Sequence, residues 1–441
     1  MVTIDPRVCD LCGCCVSVCP PDAIALRTGA IGVMENCTEC DLCIPACPVE
    51  AISRGPRGPE PVPKGGPRVG MEADVVVVGA GPGGSMAAQA AASRGASVLV
   101  LERLPEIGWP VRCAEGVSRA ELEKHMSADP RWVSATIKGA RVYAPDGTRA
   151  DIQGEGYVLD RRLFDKHLAR RAVEAGAQVL TRATVVGMER KNGRWRVLAE
   201  APDHTLEVET PLVVGADGVD SRVGRWAGLR TALKAKDAES AFEYCMTGIE
   251  VDPERIDIYL GNEVAPGGYA WVFPKGPTSA NVGLGTQVSR NLKSGLSSTH
   301  YLNKFVAQHF PRGRIDRRIV GGVPVAAPPR RCIAPGVMLV GDAARHCDPL
   351  TGGGITAAMT GGAVAGRVAA EALGAKDFSE AFLELYERGW RAEIEDINTR
   401  YYRIKEFLTA LDDKAINRFA KQFGGKSYGN EEFLGMVKTL L

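Results

Sequence analysis

Apolar runs that end in glycine-rich turns recur along the chain, and they predict buried strands feeding small-residue helices. The first is "ADVVVVGAGPGGSMAAQAAASRGASVLVLER". An unbroken apolar run, Asp74 to Val78, enters a glycine turn, an alanine-rich helix follows, and a second apolar run ends at Glu102. A run with no polar face fits a strand covered on both sides. "VVGADGVDSRVG" (213–224) and "VMLVGDAARHCDPLTGGGITAAMTGG" (337–362) repeat the strand-then-turn pattern, and the second opens another small-residue helix. "DRRLFDKHLARRA" (160–172) reads as a helix. Over about 235–320 the pattern changes: apolar and polar residues alternate between turn signals, which predicts an antiparallel sheet. After about 375 the chain reads as aromatic-rich helix.

The first 52 residues follow a different rule, set by cysteine. "CDLCGCCVSVCP" places Cys9, Cys12, Cys15 and Cys19 as C-x-x-C-x-x-C-x-x-x-C-P, and "CTECDLCIPACP" repeats the spacing with Cys37, Cys40, Cys43 and Cys47. Thiolates at such spacing, on turns tight enough to converge, are metal ligands rather than a disulfide framework. Zinc needs only four ligands, so the doubled run with its two prolines favours iron–sulfur chemistry. The run resembles that of bacterial two-cluster ferredoxins, as do the short strands "DAIAL" and "EAISR" after each copy. In that pattern each fourth cysteine ligates the other cluster. The resemblance therefore implies two [4Fe–4S] clusters, one on Cys9, Cys12, Cys15 and Cys47, the other on Cys37, Cys40, Cys43 and Cys19. Cys14 is surplus to it and reads as a passenger.

Residues 53–70 form a Pro/Gly-rich basic linker, expected to be extended and semi-rigid. The four units are therefore 1–52, the linker 53–70, a body over 71–376 and a helical segment over 377–441. Charge separates the first from the rest. Residues 1–52 carry seven acidic and two basic residues within a chain of net charge +1, so the remainder is basic. That asymmetry suggests electrostatic docking of the cysteine module on the body. The overall balance, without a basic stripe interleaved with aromatics, argues against nucleic acid. No apolar run approaches the length of a membrane span and the start is no signal peptide. The expectation is a cytoplasmic protein, with peripheral contact to the cytoplasmic face of a membrane left open.

In the body, Gly79-x-Gly81-x-x-Gly84 lies between a strand and a helix, with acidic Glu102 ending the next strand. This is the full context of a dinucleotide site: Gly79 for the turn, Gly81 for approach of the pyrophosphate, Gly84 for packing, Glu102 for the ribose. Arg103 follows directly. NAD and FAD both fit this segment. The order in which "GADG" (Asp217-Gly218) and "GDAARHCDPLTGGGI" (Gly341-Asp342, Gly352, Gly353, Gly354, Ile355) follow it resembles FAD enzymes of the hydroxylase and geranylgeranyl reductase superfamily. By that resemblance Asp217-Gly218 lies beside the pyrophosphate and Asp342 holds the ribityl chain. The helix opened by Gly352 to Ile355 would face the flavin pyrimidine, where its dipole favours the charge of reduced flavin.

"GWPVRCAEGVS" (108–118) and "GGYAWVFPKG" (267–276) narrow the resemblance to the geranylgeranyl reductase family, over residues 72–370. Family resemblance implies that Tyr269, Trp271, Phe273 and Pro274 line a lipid tunnel, and that Cys113 lies close to the flavin, where a thiol could supply a proton. Arg112 is a candidate contact to the flavin or its phosphates. His346 is a weaker candidate proton donor. It stands with Cys347 and Asp348 where relatives differ, Asp348 replacing an Asn. The implied architecture is α/β: a Rossmann-type FAD-binding domain with an antiparallel-sheet substrate domain, preceded by a small α+β ferredoxin-like domain.

The implied function is an FAD-dependent reductase of CH–CH groups that saturates isoprenoid double bonds in lipid biosynthesis, electrons passing from the clusters to FAD. Its partners would be a prenyl lipid or prenylquinone and an external ferredoxin or other low-potential donor. The alternative is an electron-transfer oxidoreductase that reduces menaquinone or another quinone and leaves every alkene intact. Aromatic hydroxylation ranks last, because oxygen chemistry sits awkwardly beside two iron–sulfur clusters.

Overall fold

The computed structural model describes residues 1–56, 66–422 and 424–429. Its centre is a six-stranded sheet in the order Gln178–Leu180, Val98–Leu101, Val75–Val78, Leu212–Gly215, Val337–Leu339, Ile333–Ala334, parallel except at the last pair. Val75, Val76, Val77, Leu212, Val213 and Val214 have no exposed surface. Helices on one face and a second sheet on the other bury them, which is why these strands read as unbroken apolar runs. Helix Pro82–Ala92 lies against helix Ile355–Ala375, and the alanines and glycines of both permit that close approach. Helix Arg161–Glu174, capped by the Asp160 carboxylate accepting from the Leu163 N–H, packs beside Pro82–Ala92.

A four-stranded sheet, Thr184–Lys191, Arg194–Glu200, Thr205–Thr210 and Arg68–Glu72, lies beside this core. Arg68–Glu72 corrects the expected linker boundary, because the end of the 53–70 stretch is an ordered edge strand paired with Thr205–Thr210. Residues 57–65, the middle of that linker, and residues 430–441 of the helical segment lie outside the described residues.

The expected antiparallel sheet is present and larger than the pattern over 235–320 implies. Its nine strands include Arg314–Pro324, Ala238–Thr247, Ser279–Gln287, Tyr269–Gly276 and Arg255–Leu260, and then the hairpin Val133–Tyr143/Arg149–Leu159 from the first half of the chain. One face packs on helix Ser298–His309 through Phe242, Val282, Leu284, Leu302 and Phe305. The other looks toward the ends of the parallel strands.

The long helix Glu380–Ala410 is a core element. Leu383, Tyr386, Trp390 and Ile394 are buried in the central cluster, and the Asn398 amide donates to the His346 and Cys347 carbonyls at 3.0 and 3.1 Å. Among the described residues, no helix is long and apolar enough to cross a membrane.

The cysteine module has two short antiparallel pairs, Val2–Ile4 with Ile52–Arg54 and Ile24–Arg27 with Ala30–Val33, and two single-turn helices, Cys14–Ser17 and Cys43–Ala46. It is seated on the body, so the expected docking is the arrangement found. The Arg225 guanidinium donates to the Val16 carbonyl and to the Asp22 carboxylate, both at 2.8 Å, and Arg112 pairs with Asp10 at 2.9 Å. Cys12, Cys14, Val18 and Ala46 share one apolar cluster with Leu233, Phe242 and Val320 of the body.

Candidate active site

The eight motif cysteines converge as two quartets. Cys9, Cys12 and Cys15 each lie within electrostatic reach of Cys47, and Cys43 lies within reach of Cys19, Cys37 and Cys40. The fourth cysteine of each motif thus sits with the other motif's three. Cys19, Cys37, Cys40 and Cys43 line a cavity walled by Val2, Ile24 and Val33. Among the described residues, no three His, Cys, Asp or Glu side chains close around a single point as one metal ion demands. Eight thiols gathered in two quartets fit the four-thiolate ligation of iron–sulfur cubes.

The glycine turn after Val75–Val78 has the shape a pyrophosphate requires. Gly79 has φ +101, a conformation glycine adopts without penalty. A Cβ on Gly84 would stand 2.0 Å from the Gly79 carbonyl oxygen, whereas above Gly81 there is open space. Glu102 is buried, and its carboxylate accepts from the Ala80 and Leu104 N–H groups, both at 2.8 Å. It therefore braces the turn as well as ending the strand. Arg103 is held by Asp220.

The loops at Asp217-Gly218 and Gly341-Asp342 lie side by side at the ends of adjacent parallel strands. One Asp217 oxygen accepts from the Val223 N–H at 2.9 Å, and the other is buried with no partner. Burial pushes both the Asp217 and the Asp342 carboxyl up to about 6. Two desolvated carboxyls beside a glycine turn and an uncapped helix start are a donor-hungry cradle, and the polyhydroxylated chain of FAD fits it. The Gly352–Gly354 loop leads into Ile355, the first residue of its helix. Asp348 accepts from the Leu350 N–H and the Thr351 hydroxyl, and so braces that loop.

The open face of the nine-stranded sheet can be followed by its register. Tyr269, Gly285, Ala241 and Gly321 form one row across four strands; Trp271, Gly283, Glu243 and Ile319 form the next; Phe273, Asn281, Cys245 and Arg317 form the third. Side chains two apart on a strand share a face, so these rows lie on one surface. The ring centroids of Tyr269 and Trp271 are 5.9 Å apart and those of Trp271 and Phe273 6.4 Å. The Tyr269 hydroxyl donates to the Thr351 carbonyl and ties the sheet to the Gly352 loop. The segment carrying Cys113 crosses the same face. Arg112 lies over Gly321, the Asn281 amide donates to the Ala114 carbonyl, and Gly116 lies against the Phe273 ring. Cys113 also packs against the apolar cluster that contains Met86, Ile355 and Met359, and burial holds its thiol above the ordinary value, hence protonated.

Four expectations change. Pro274 is one residue out of phase with the three aromatics and belongs to the opposite face of its strand. Arg112 is taken up by the edge strand and the docked module, donating to the Val320 and Asp10 carbonyls at 2.8 Å and pairing with the Asp10 carboxylate. His346 has no exposed surface. Its Nδ1 accepts from the Gly341 N–H at 3.3 Å, its ring packs 4.8 Å from Trp390, and burial lowers it to about 3. It props the Gly341 loop from behind. Cys14 is no passenger: it is fully buried, and a Cβ on Gly322 would stand 2.9 Å from its sulfur, so the thiol seats the module on the edge strand.

Sequence reasoning missed Glu243 and Glu239, both buried on the open face of Ala238–Thr247. Two glutamates four residues apart in the otherwise apolar run "ESAFEYC" were the available signal.

Three family models match the chain: the geranylgeranyl reductase catalytic domain over 237–324, the FAD dependent oxidoreductase over 74–279 and the 4Fe-4S binding domain over 31–53. A digeranylgeranylglycerophospholipid reductase of Methanothrix thermoacetophila is 45% identical over 378 residues, covering 84% of this chain and 96% of the relative. One from Methanosarcina acetivorans is 47% identical, covering 83% of this chain and 92% of the relative. The crystal structure of a geranylgeranyl bacteriochlorophyll reductase-like protein from Thermoplasma acidophilum superposes with a TM-score of 0.78 at 38% identity, covering 82% of this chain and 93% of that one. The flavin-dependent brominase Bmp2, at 17% identity and a TM-score of 0.63, shares the fold alone. The chain is a member of the geranylgeranyl reductase family of FAD-dependent oxidoreductases, with a 4Fe-4S binding domain at its N-terminal end.

Proposed function

We propose that this protein saturates carbon–carbon double bonds in the prenyl chains of a glycerophospholipid. The observation that carries the reading is the open sheet face: three aromatic rings and two glycines in register, crossed by the Cys113 segment and tied to the Gly352 loop. An isoprenoid chain is long, apolar and jointed, and a row of rings beside glycine gaps fits it. The relatives' names point to the same substrate class.

Bound FAD would supply the hydride. The residues of the chain do the rest. Gly79, Gly81 and Gly84 admit the pyrophosphate, with Glu102 at the ribose, and Asp217 and Asp342 take hydroxyl donors. The Gly352–Gly354 amides, at the start of helix Ile355–Ala375, favour negative charge on the ring. Tyr269, Trp271 and Phe273 hold the chain and exclude water, and Cys113 holds the proton for the second carbon.

We place two [4Fe–4S] clusters on the two cysteine quartets. The Cys9 quartet is the inner one, since Arg112 reaches Asp10 beside it; the other includes exposed Cys40 and would receive electrons from an external low-potential donor. The test is anaerobic. Reduced, cluster-loaded protein is given a digeranylgeranyl glycerophospholipid and a menaquinone separately, and each prenyl chain is weighed. Mass gains in steps of about two hydrogens per two electrons on the lipid support the reading. Flavin reoxidation by the quinone with every prenyl mass unchanged replaces it with quinone reduction.

A further inference from the structure

We propose that Glu243 is the proton store of this site, its carboxyl restoring the Cys113 thiol after each double bond is saturated. The proposal rests on the prenyl-reductase reading above and adds to it the source of the second hydrogen.

Glu243 sits in the middle row of the open face, separated from Trp271 by Gly283. A Cβ on Gly283 would lie 2.6 Å from the Trp271 ring and 2.8 Å from the Glu243 Cβ, so indole and acid share the space above the glycine. The Trp271 Nε1–H donates to Glu243 Oε2 at 2.7 Å. The other oxygen, Oε1, is buried with no partner, and the residue is 2% exposed. One hydrogen bond does not sustain a buried carboxylate.

The charged and titratable groups around it do not supply the missing support. From the crossing segment come Cys113 and Glu115, from the neighbouring strand Lys275, from the edge strand Arg317, and from its own strand Cys245. Lys275 is taken by the Glu115 carboxylate and the Leu159 carbonyl. Arg317 donates to the Cys245 sulfur at 3.2 Å and lies over the Trp109 ring at 4.7 Å. Neither cation forms an ion pair with Glu243, and Glu115 adds like charge. Glu243 is therefore a neutral acid, and burial keeps its carboxyl well above the usual range.

The step balances. Reduced FAD, when bound, would supply a hydride to one alkene carbon and be left oxidised. The Cys113 S–H bond breaks and its proton goes to the other carbon, leaving a thiolate. The Glu243 O–H proton then passes to that sulfur, and the carboxylate regains a proton from water.

Glu243→Gln separates this role from a merely structural one. Glutamine keeps an oxygen for the Trp271 indole and keeps the position neutral, yet it has no acidic proton. In the intact, cluster- and FAD-loaded protein we expect one infrared carbonyl band of a protonated carboxylic acid, distinct from those of Glu239, Asp217 and Asp342, to be present in the wild type near neutral pH and lost in E243Q. FAD content and flavin reduction by dithionite should be unchanged. The first double bond per site should saturate at near the wild-type rate, and later turnovers should slow by about 10²-fold. The wild-type rate should fall as pH rises through the Glu243 titration, a limb that E243Q lacks. Equal steady-state turnover in both proteins, loss of the first turnover as well, or no such band in the wild type would each overturn the proposal. If E243Q matches a wild type that reduces the lipid, only the Glu243 role falls; a wild type that reduces no prenyl chain removes the reading beneath it.

Discussion

Asp342 illustrates how much a single position costs the empty fold. Its folded value of about 6 stands above the ordinary 3.8, so the folded state holds the proton more tightly than the unfolded chain. The associated stability is fully present below about 4 and is lost as pH rises through 6. Asp342→Asn removes that loss. FAD-free D342N should lose less stability than the FAD-free wild type as pH rises from about 4 to about 7, by up to about 3 kcal/mol, read from thermal unfolding at each pH. FAD affinity should weaken, since an amide is a poorer acceptor for ribityl hydroxyls. Equal pH dependence in both proteins would contradict a buried, unpaired carboxyl. At this scale Asp342 was legible because it sits in a local motif. Glu243 was not, because its significance comes from register across three strands, which no window along the chain contains.

The elements were legible in the same uneven way. Strand–turn–helix units such as Val75–Val78 with Pro82–Ala92 are written locally, by apolar runs and glycine spacing. The hairpin Val133–Tyr143/Arg149–Leu159 was not, because its half-exposed strands mix apolar and charged residues and join the large sheet through the parallel pairing with Arg255–Leu260. Docking of helix Cys14–Ser17 was equally hidden. It depends on Arg225, on Asp220 against Gly13 and on Cys14 against Gly322, all remote in sequence. Arg225→Glu should release this helix, since it removes the guanidinium that donates to the Val16 and Ser17 carbonyls and sets a second carboxylate beside Asp22. Breaking a largely buried pair of this kind costs about 3–5 kcal/mol. In stopped-flow reduction we expect R225E to show cluster-to-flavin transfer slowed at least about tenfold, with FAD content and cluster absorbance retained. An unchanged rate would mean that the docked pose is not the one that transfers electrons.

Over the whole molecule, three arrangements meet at one place. The ends of the parallel strands carry the FAD cradle, the open face of the nine-stranded sheet carries the aromatic row, and the cysteine module closes on the edge strand Arg314–Pro324 between Arg112 and Asp220. The cysteine module is thereby set against the FAD cradle, which is in turn set against an apolar face. The most direct test is an anaerobic titration of the cluster- and FAD-loaded protein. Measured amounts of dithionite are added in the presence of a digeranylgeranyl glycerophospholipid, and lipid mass and cluster absorbance are read together. We expect about one double bond saturated for every two electrons, with clusters and flavin returning to the oxidised state. Clusters and flavin that stay reduced beside an unchanged lipid, and reoxidise only when menaquinone is added, would contradict the prenyl reductase.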